Sequence, residues 1–159
     1  MKHTFKYISI YFDEKEDLIG VPSTKIKKWN ALADIDKILN LKAPYSDDQF
    51  ERFIKDVYNL CYTYTPHELP KQSALQKYLG VKTHSASVKG RGLVALKWLD
   101  KQGYEIIPTW KDAKLKNAFV FLEDRSLTVP IDYKEGELAR RLRSVMSMSP
   151  IGSMNWKPK

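Results

Sequence analysis

Four apolar stretches, GLVALKWL, YEIIPTW, AFVFLE and SLTVPI, follow one another between residues 92 and 131, separated by short polar turns around DKQG, KDAKLK and EDR. No connection among them is long enough for the crossover that parallel strands need. Strands joined this closely pair antiparallel, as a meander with one face packed on helices. Pro108 and Pro130 lack a donor for the ladder, which predicts each at an edge or a strand end. This pattern limits the second half of the chain more than any other feature does.

The first half supplies the helices. After an opening strand at about residues 4–12 and the acidic turn DEKED, a short helix is expected around 29–41. Ser46, followed three residues later by Gln49, forms a capping box that starts a helix over 47–64. Phe50, Phe53, Ile54, Val57, Leu60, Cys61 and Tyr64 recur at helical spacing and predict its buried stripe. Pro66 and Pro70 punctuate its end. A shorter helix over 71–79 is closed by Gly80, where a left-handed cap is wanted. A last helix is expected to begin near Asp132 and Glu135 and to end with Arg140, Arg141 and Arg143, which suits the helix dipole. Leu138, Leu142, Val145 and Met146 make its apolar stripe. Helices and a run of strands in one chain predict the α+β class: about four C-terminal strands plus an N-terminal strand, packed against two to four helices. Residues 1–146 are expected to form a single domain and residues 147–159, which show no period, a loose C-terminal tail.

At 159 residues and 43% hydrophobic content, the chain can bury one sizeable core. Its longest apolar runs are about five residues, against the roughly 20 that a membrane span requires. No secretory leader pattern opens the sequence, and a cytoplasmic location is expected. The single cysteine, Cys61, excludes an internal disulfide framework and a CxxC zinc site. On the buried stripe it acts as a small hydrophobe.

The net charge of +8 is unevenly distributed: residues 1–65 carry 10 Lys and Arg against 10 Asp and Glu, and residues 66–159 carry 17 against 9. Such asymmetry points to a polyanion or an acidic protein surface, or else to a solvated face kept soluble by lysine. Within the basic part, the segment VKTHSASVKGRGL (81–93) poses the sharpest question. A Walker loop needs Gly-x-x-x-x-Gly-Lys followed by Ser or Thr ahead of a helix, whereas GVKT and GRG are separate fragments and a strand follows. A dinucleotide fingerprint fails for the same reason. A helix-turn-helix over 71–92 would bind DNA or RNA, but its recognition helix would run through Gly90 and Gly92, each costing about 1 kcal/mol relative to alanine. An exposed connector, with glycines permitting turns into the first meander strand, is the preferred reading.

Catalytic patterns are lacking. His3, His67 and His84 lie far apart in sequence, and His84 beside Ser85 and Ser87 has no third group to orient it. Asp47, Asp48 and Glu51 begin a helix, where the dipole explains them. Asp13, Glu14, Glu16 and Asp17 lack the glycine and terminal glutamate of a calcium loop. No catalytic residue, cofactor, metal site or small-molecule substrate is assigned.

The run from Lys77 to Met146 resembles the C-terminal half of bacterial immunity proteins of contact-dependent growth inhibition (CDI). The resemblance rests on Leu79-Gly80 closing a helix, the hydroxyl- and basic-rich stretch after it, the strand at 94–98, the Pro108-Thr109 pair, the aromatic strand at 119–122, Val129-Pro130 and a final helix from Glu137 to Leu142. It covers roughly residues 75–146. It implies a cytoplasmic bacterial protein that is not an enzyme and that blocks the toxin domain of a sibling effector, often a nuclease, by stoichiometric occlusion. The cognate toxin domain is then the partner. Candidate contacts are the acidic cluster Asp13, Glu14, Glu16 and Asp17 and the basic residues Lys82, His84, Lys89 and Arg91. Either the acidic cluster meets a basic toxin while the lysines stay solvated, or the toxin presents an acidic face. The alternative is a basic DNA- or RNA-binding regulator using the same surface.

Overall fold

A computed structural model describes residues 4–68 and 70–154. Two edge-sharing hairpin systems build its sheet. β1 (Phe5–Phe12) pairs antiparallel with β2 (Leu18–Ile26) on one side and with β5 (Gly92–Leu99) on the other. Short strands β3 (Ala31–Asp34) and β4 (Leu39–Leu41) both pair with β2. β6 (Gly103–Asp112) continues from β5 and is the branch point at the other end. Its first part pairs with β8 (Leu127–Pro130), its second part with β7 (Ala118–Phe121), and β9 (Ser153–Met154) adds a parallel bridge at Lys111 and Asp112.

The α+β class and the antiparallel pairing stand as read from the sequence, with the difference that β8 returns to β6 and does not continue the meander on β7. The expected helix around 29–41 does not form. Residues Lys27–Trp29 make one tight turn that closes on Asn30 in the left-handed region, and β3 and β4 occupy the rest. Pairing with β2, by an adjacent hairpin for β3 and from farther along the chain for β4, decides the matter there, and Ala33 and Ile35 are buried at strand spacing. Pro108 lies inside β6 and not at an edge. It falls where the ladder changes partner, after Ile106 pairs with β8 and before Thr109 pairs with β7, so no donor is missed. Pro130 ends β8.

One face of the sheet carries Ile8, Ile10, Phe12, Val94, Leu96 and Ile106, all buried at alternate positions. Two helices cover it. α1 (Asp47–Asn59) starts at the capping box, with Ser46 Oγ accepting from Gln49 N and Gln49 Oε1 accepting from Ser46 N. It packs Phe50, Phe53, Ile54 and Val57 inward and ends five residues earlier than expected, leaving Tyr64 exposed while Cys61 stays buried. α4 (Glu137–Ser147) packs Leu138, Leu142 and Val145 beside it. It begins after Asp132 and Glu135, so Arg140, Arg141 and Arg143 stand in its first two turns and not at its C-terminus. Arg143 instead pairs with Asp47 at the start of α1, 3.2 Å away.

The small helices α2 (Ala74–Leu79) and α3 (His84–Val88) follow each other. α2 begins three residues later than expected, at a second capping box formed by Ser73 and Gln76, and Gly80 (φ 69°) closes it in the left-handed region as the sequence indicates. The segment after α4, expected to be loose, is held through residue 154. Ser149 is buried, donates to Val145 O and accepts from Thr109 N (3.1 Å). The remainder of that expected tail, 155–159, lies outside the described residues.

Candidate functional site

Odd-numbered residues of the central strands point away from the helices. Tyr7, Ser9 and Tyr11 on β1, Leu93 and Lys97 on β5 and Ile107 on β6 form the floor of a groove of about 610 Å³. β3 and β7 are the two ends of the strand path, and both line this groove through Leu32, Asp34, Phe119 and Phe121. The sheet therefore curls until its ends face each other, and the groove is its concave side. Tyr11 meets Phe119 edge-on with ring centres 6.1 Å apart, and His84 meets the same ring at 5.9 Å.

The groove is aromatic with a few charged groups placed in it. Asp34 is pushed above the usual carboxylate range by burial and secondarily by Asp36, against the opposing hydrogen bond from the Ala74 amide. Burial, reinforced by the Asp34 charge, pushes the Tyr7 phenol up to about 12 and raises that of Tyr11 further. Both phenols therefore stay neutral donors at physiological pH. Leu32 (43%) and Phe121 (44%) remain exposed at the two ends of the strand path. Large apolar side chains left open beside half-buried aromatics and a few polar groups are features of protein-binding surfaces.

Several of the residues singled out in the sequence lie at one end of the sheet, whereas His84 lines the groove. Phe12 pairs with Gly92 in the β1–β5 ladder, which brings the acidic turn beside Arg91. Asp13, Asp17 and Arg91 line one small pocket, and Glu14 and Lys89 line a neighbouring one. Several of them have structural work. Asp13 Oδ1 accepts from the amides of Lys15 (2.9 Å) and Asp17 (3.1 Å) and so closes the turn. Asp17 accepts from the Ala43 amide (2.8 Å) and pairs with Lys42 (3.3 Å). That amide, helped by Lys42, holds the Asp17 carboxyl below its usual value although burial works the other way. Arg91 donates to the Ser87 carbonyl at the end of α3 (3.2 Å). Glu14, Glu16, Lys82 and Lys89 have exposed side chains.

The segment 81–93 is not a plain connector. Thr83 accepts from the Ala86 amide and starts α3, which ends at Val88, two residues before Gly90. His84 Nε2 donates to Asn117 O and Ser85 Oγ to Lys116 O, both at 2.9 Å. The first turn of α3, which in a helix-turn-helix would face the bases, is thus docked on the β6–β7 turn. Five residues make no recognition helix.

No family model and no curated protein sequence matches this chain. Solved structures do. The fold resembles a chain of a CDI toxin and immunity complex. That complex, CdiA-CT/CdiI from Yersinia pseudotuberculosis, is matched with a TM-score of 0.63 at 12% identity, over 91% of this chain and 97% of that one. A protein of unknown function from Neisseria meningitidis is matched with a TM-score of 0.69 at 13% identity, over 93% and 98%. At these identities the likeness is one of fold, and it extends the resemblance read over 75–146 to nearly the whole chain.

The sequence reading missed the groove. Tyr7, Ser9 and Tyr11 alternate with Ile8, Ile10 and Phe12, and that second aromatic row was the available signal. Among the described residues, no three His, Cys, Asp or Glu side chains are placed to hold a metal ion, and no helix is long and apolar enough to cross a membrane.

Proposed function

We propose that this protein is an immunity protein that neutralises a CDI toxin domain by binding it stoichiometrically, and that it performs no catalysis of its own. The observation that carries this reading is the near full-length fold match to a chain of a toxin and immunity complex. The concave aromatic groove supports it, because it offers what a protein partner needs: rigid rings, exposed apolar ends and few charges. The groove seats the toxin, and the exposed Glu14, Glu16, Lys82 and Lys89 steer its approach and set specificity.

The test is co-expression with the polypeptide encoded immediately upstream, followed by co-purification in about 0.5 M salt, where phosphate contacts are largely screened. A one-to-one complex that survives this salt and abolishes the partner's toxicity is the expected result. A protein that retains nucleic acid at low salt, loses it by roughly a thousandfold in affinity between 50 and 200 mM, and captures no partner would overturn the reading in favour of a regulator.

A further inference from the structure

Lys111 is buried, with 2% of its surface exposed. Among the described residues no carboxylate pairs with it; its Nζ donates to the Val88 carbonyl at the end of α3 (2.7 Å). An ammonium carries three donors, so two remain. Arg91, of like sign, adds to burial in lowering the Lys111 pKa. Buried charges in proteins are ordinarily paired, because leaving one without a counter-charge forfeits its hydration for nothing.

This lysine lines a pocket of about 600 Å³ where three segments meet: α3 with the turn after it, the β6–β7 turn, and residues 151–153. Lys89 supplies a second ammonium, and Glu14 is the one carboxylate in the lining. Two cations against one anion leave room for a single small negative charge. The hydroxyls in the wall are already spent as donors, Ser85 Oγ on Lys116 O and Ser153 Oγ on Asn117 Oδ1, so the lysines must supply the recognition.

We propose that this pocket binds a small oxyanion of the phosphate class between Lys111 and Lys89, tying α3 to β6 and to the C-terminal segment. Oxyanions suit it better than halides because several oxygens accept from both ammonium groups at once. Its single net charge argues against a polyphosphate. The phosphate arrives either as the free ion or as the terminal group of a nucleotide. The site lies outside the groove; Glu14 and Lys89 also belong to the charged rim assigned above to steering, and a titration of the protein alone, with no partner present, reads the pocket separately.

The full chain is titrated with inorganic phosphate at constant ionic strength, with sodium chloride as the control, following amide chemical shifts and the thermal unfolding midpoint. Saturable shifts at Lys89, Gly90, Lys111 and Gly152 with a raised midpoint, absent with chloride, are expected. Glu14→Gln, which removes the competing carboxylate, tightens phosphate about fivefold, and Lys89→Ser weakens it about as much. Lys111→Met abolishes the response. No saturation, or an undiminished response in a folded Lys111→Met protein, overturns the site. Should Lys111→Met fail to fold, unchanged phosphate affinity in both Glu14→Gln and Lys89→Ser overturns it equally. A parallel titration with adenosine 5′-monophosphate separates the sources: tighter binding than phosphate assigns a nucleotide, equal or weaker binding the free ion.

Discussion

Glu51 does for α4 what the local sequence of α4 does not. The residue before the helix is Gly136, with no side chain to cap it, and the two carboxylate oxygens of Glu51 accept from Gly136 N and Ala139 N, each at 3.0 Å. A buried carboxylate on orphan helix amides joins a hydrogen-bond term to a dipole term. Replacing Glu51 by Gln should cost about 2 kcal/mol and by Ala about 3 kcal/mol, read from urea unfolding. Asp48→Asn, which breaks an exposed pair with Arg52, should change stability by less than about 0.5 kcal/mol. Asp17 gives a pH signature. Its folded pKa is depressed by the Ala43 amide, so its contribution is complete above the ordinary value of 3.8 and is lost as pH falls through the folded value. The stability difference between wild type and Asp17→Asn should be full near neutrality and shrink below that point, measured by thermal unfolding across acid pH. The role of Glu51 was not legible in the sequence, because a carboxylate in the first turns of one helix is already explained by that helix. Its partner lies 85 residues away.

Among the elements, those fixed by local chemistry were the ones the sequence revealed. The capping boxes at Ser46 and the left-handed Gly80 are local, and both stand where they were read. β3 and β4 are short and take their conformation from β2, not from any periodicity of their own, which is why the region 29–41 reads as a helix in the sequence. The turn into β6 is similarly exacting. Gly103 has φ 126°, and a Cβ there would overlap the carbonyl oxygen of Val129 in β8. Backbone strain and a clash with another strand's backbone act together, so Gly103→Ala should cost at least about 3 kcal/mol. The loss should appear in denaturant unfolding and as weakened amide protection at 104–106 and 127–129, where β6 and β8 pair.

At the scale of the molecule, the sheet gives one side to a core under the helices and leaves the other open as a concave groove. The candidate contact residues were scattered in sequence, yet the register of β1 with β5 gathers the acidic turn and Arg91 at one end. The floor of the groove is legible in the alternation along β1, but its closure is not, because that exists only when β3 and β7, far apart in sequence, face each other. If this face seats the toxin, an exposed rim residue should matter to binding and not to folding. Phe121→Glu should weaken the complex by at least about tenfold and leave the unfolding midpoint within about 2 °C, measured by calorimetric titration and thermal unfolding side by side.

The shared carboxylate between α1 and α4 also bears on how the chain is made. α4, at 11 residues, is too short to hold itself together in water. Its first amides wait on a side chain translated 85 residues earlier, and the sheet face under α1 stays partly uncovered until Leu138, Leu142 and Val145 arrive. The core can therefore close only once α4 has been made, and a nascent chain that stops short of Leu138 leaves apolar surface of the sheet and of α1 open to water.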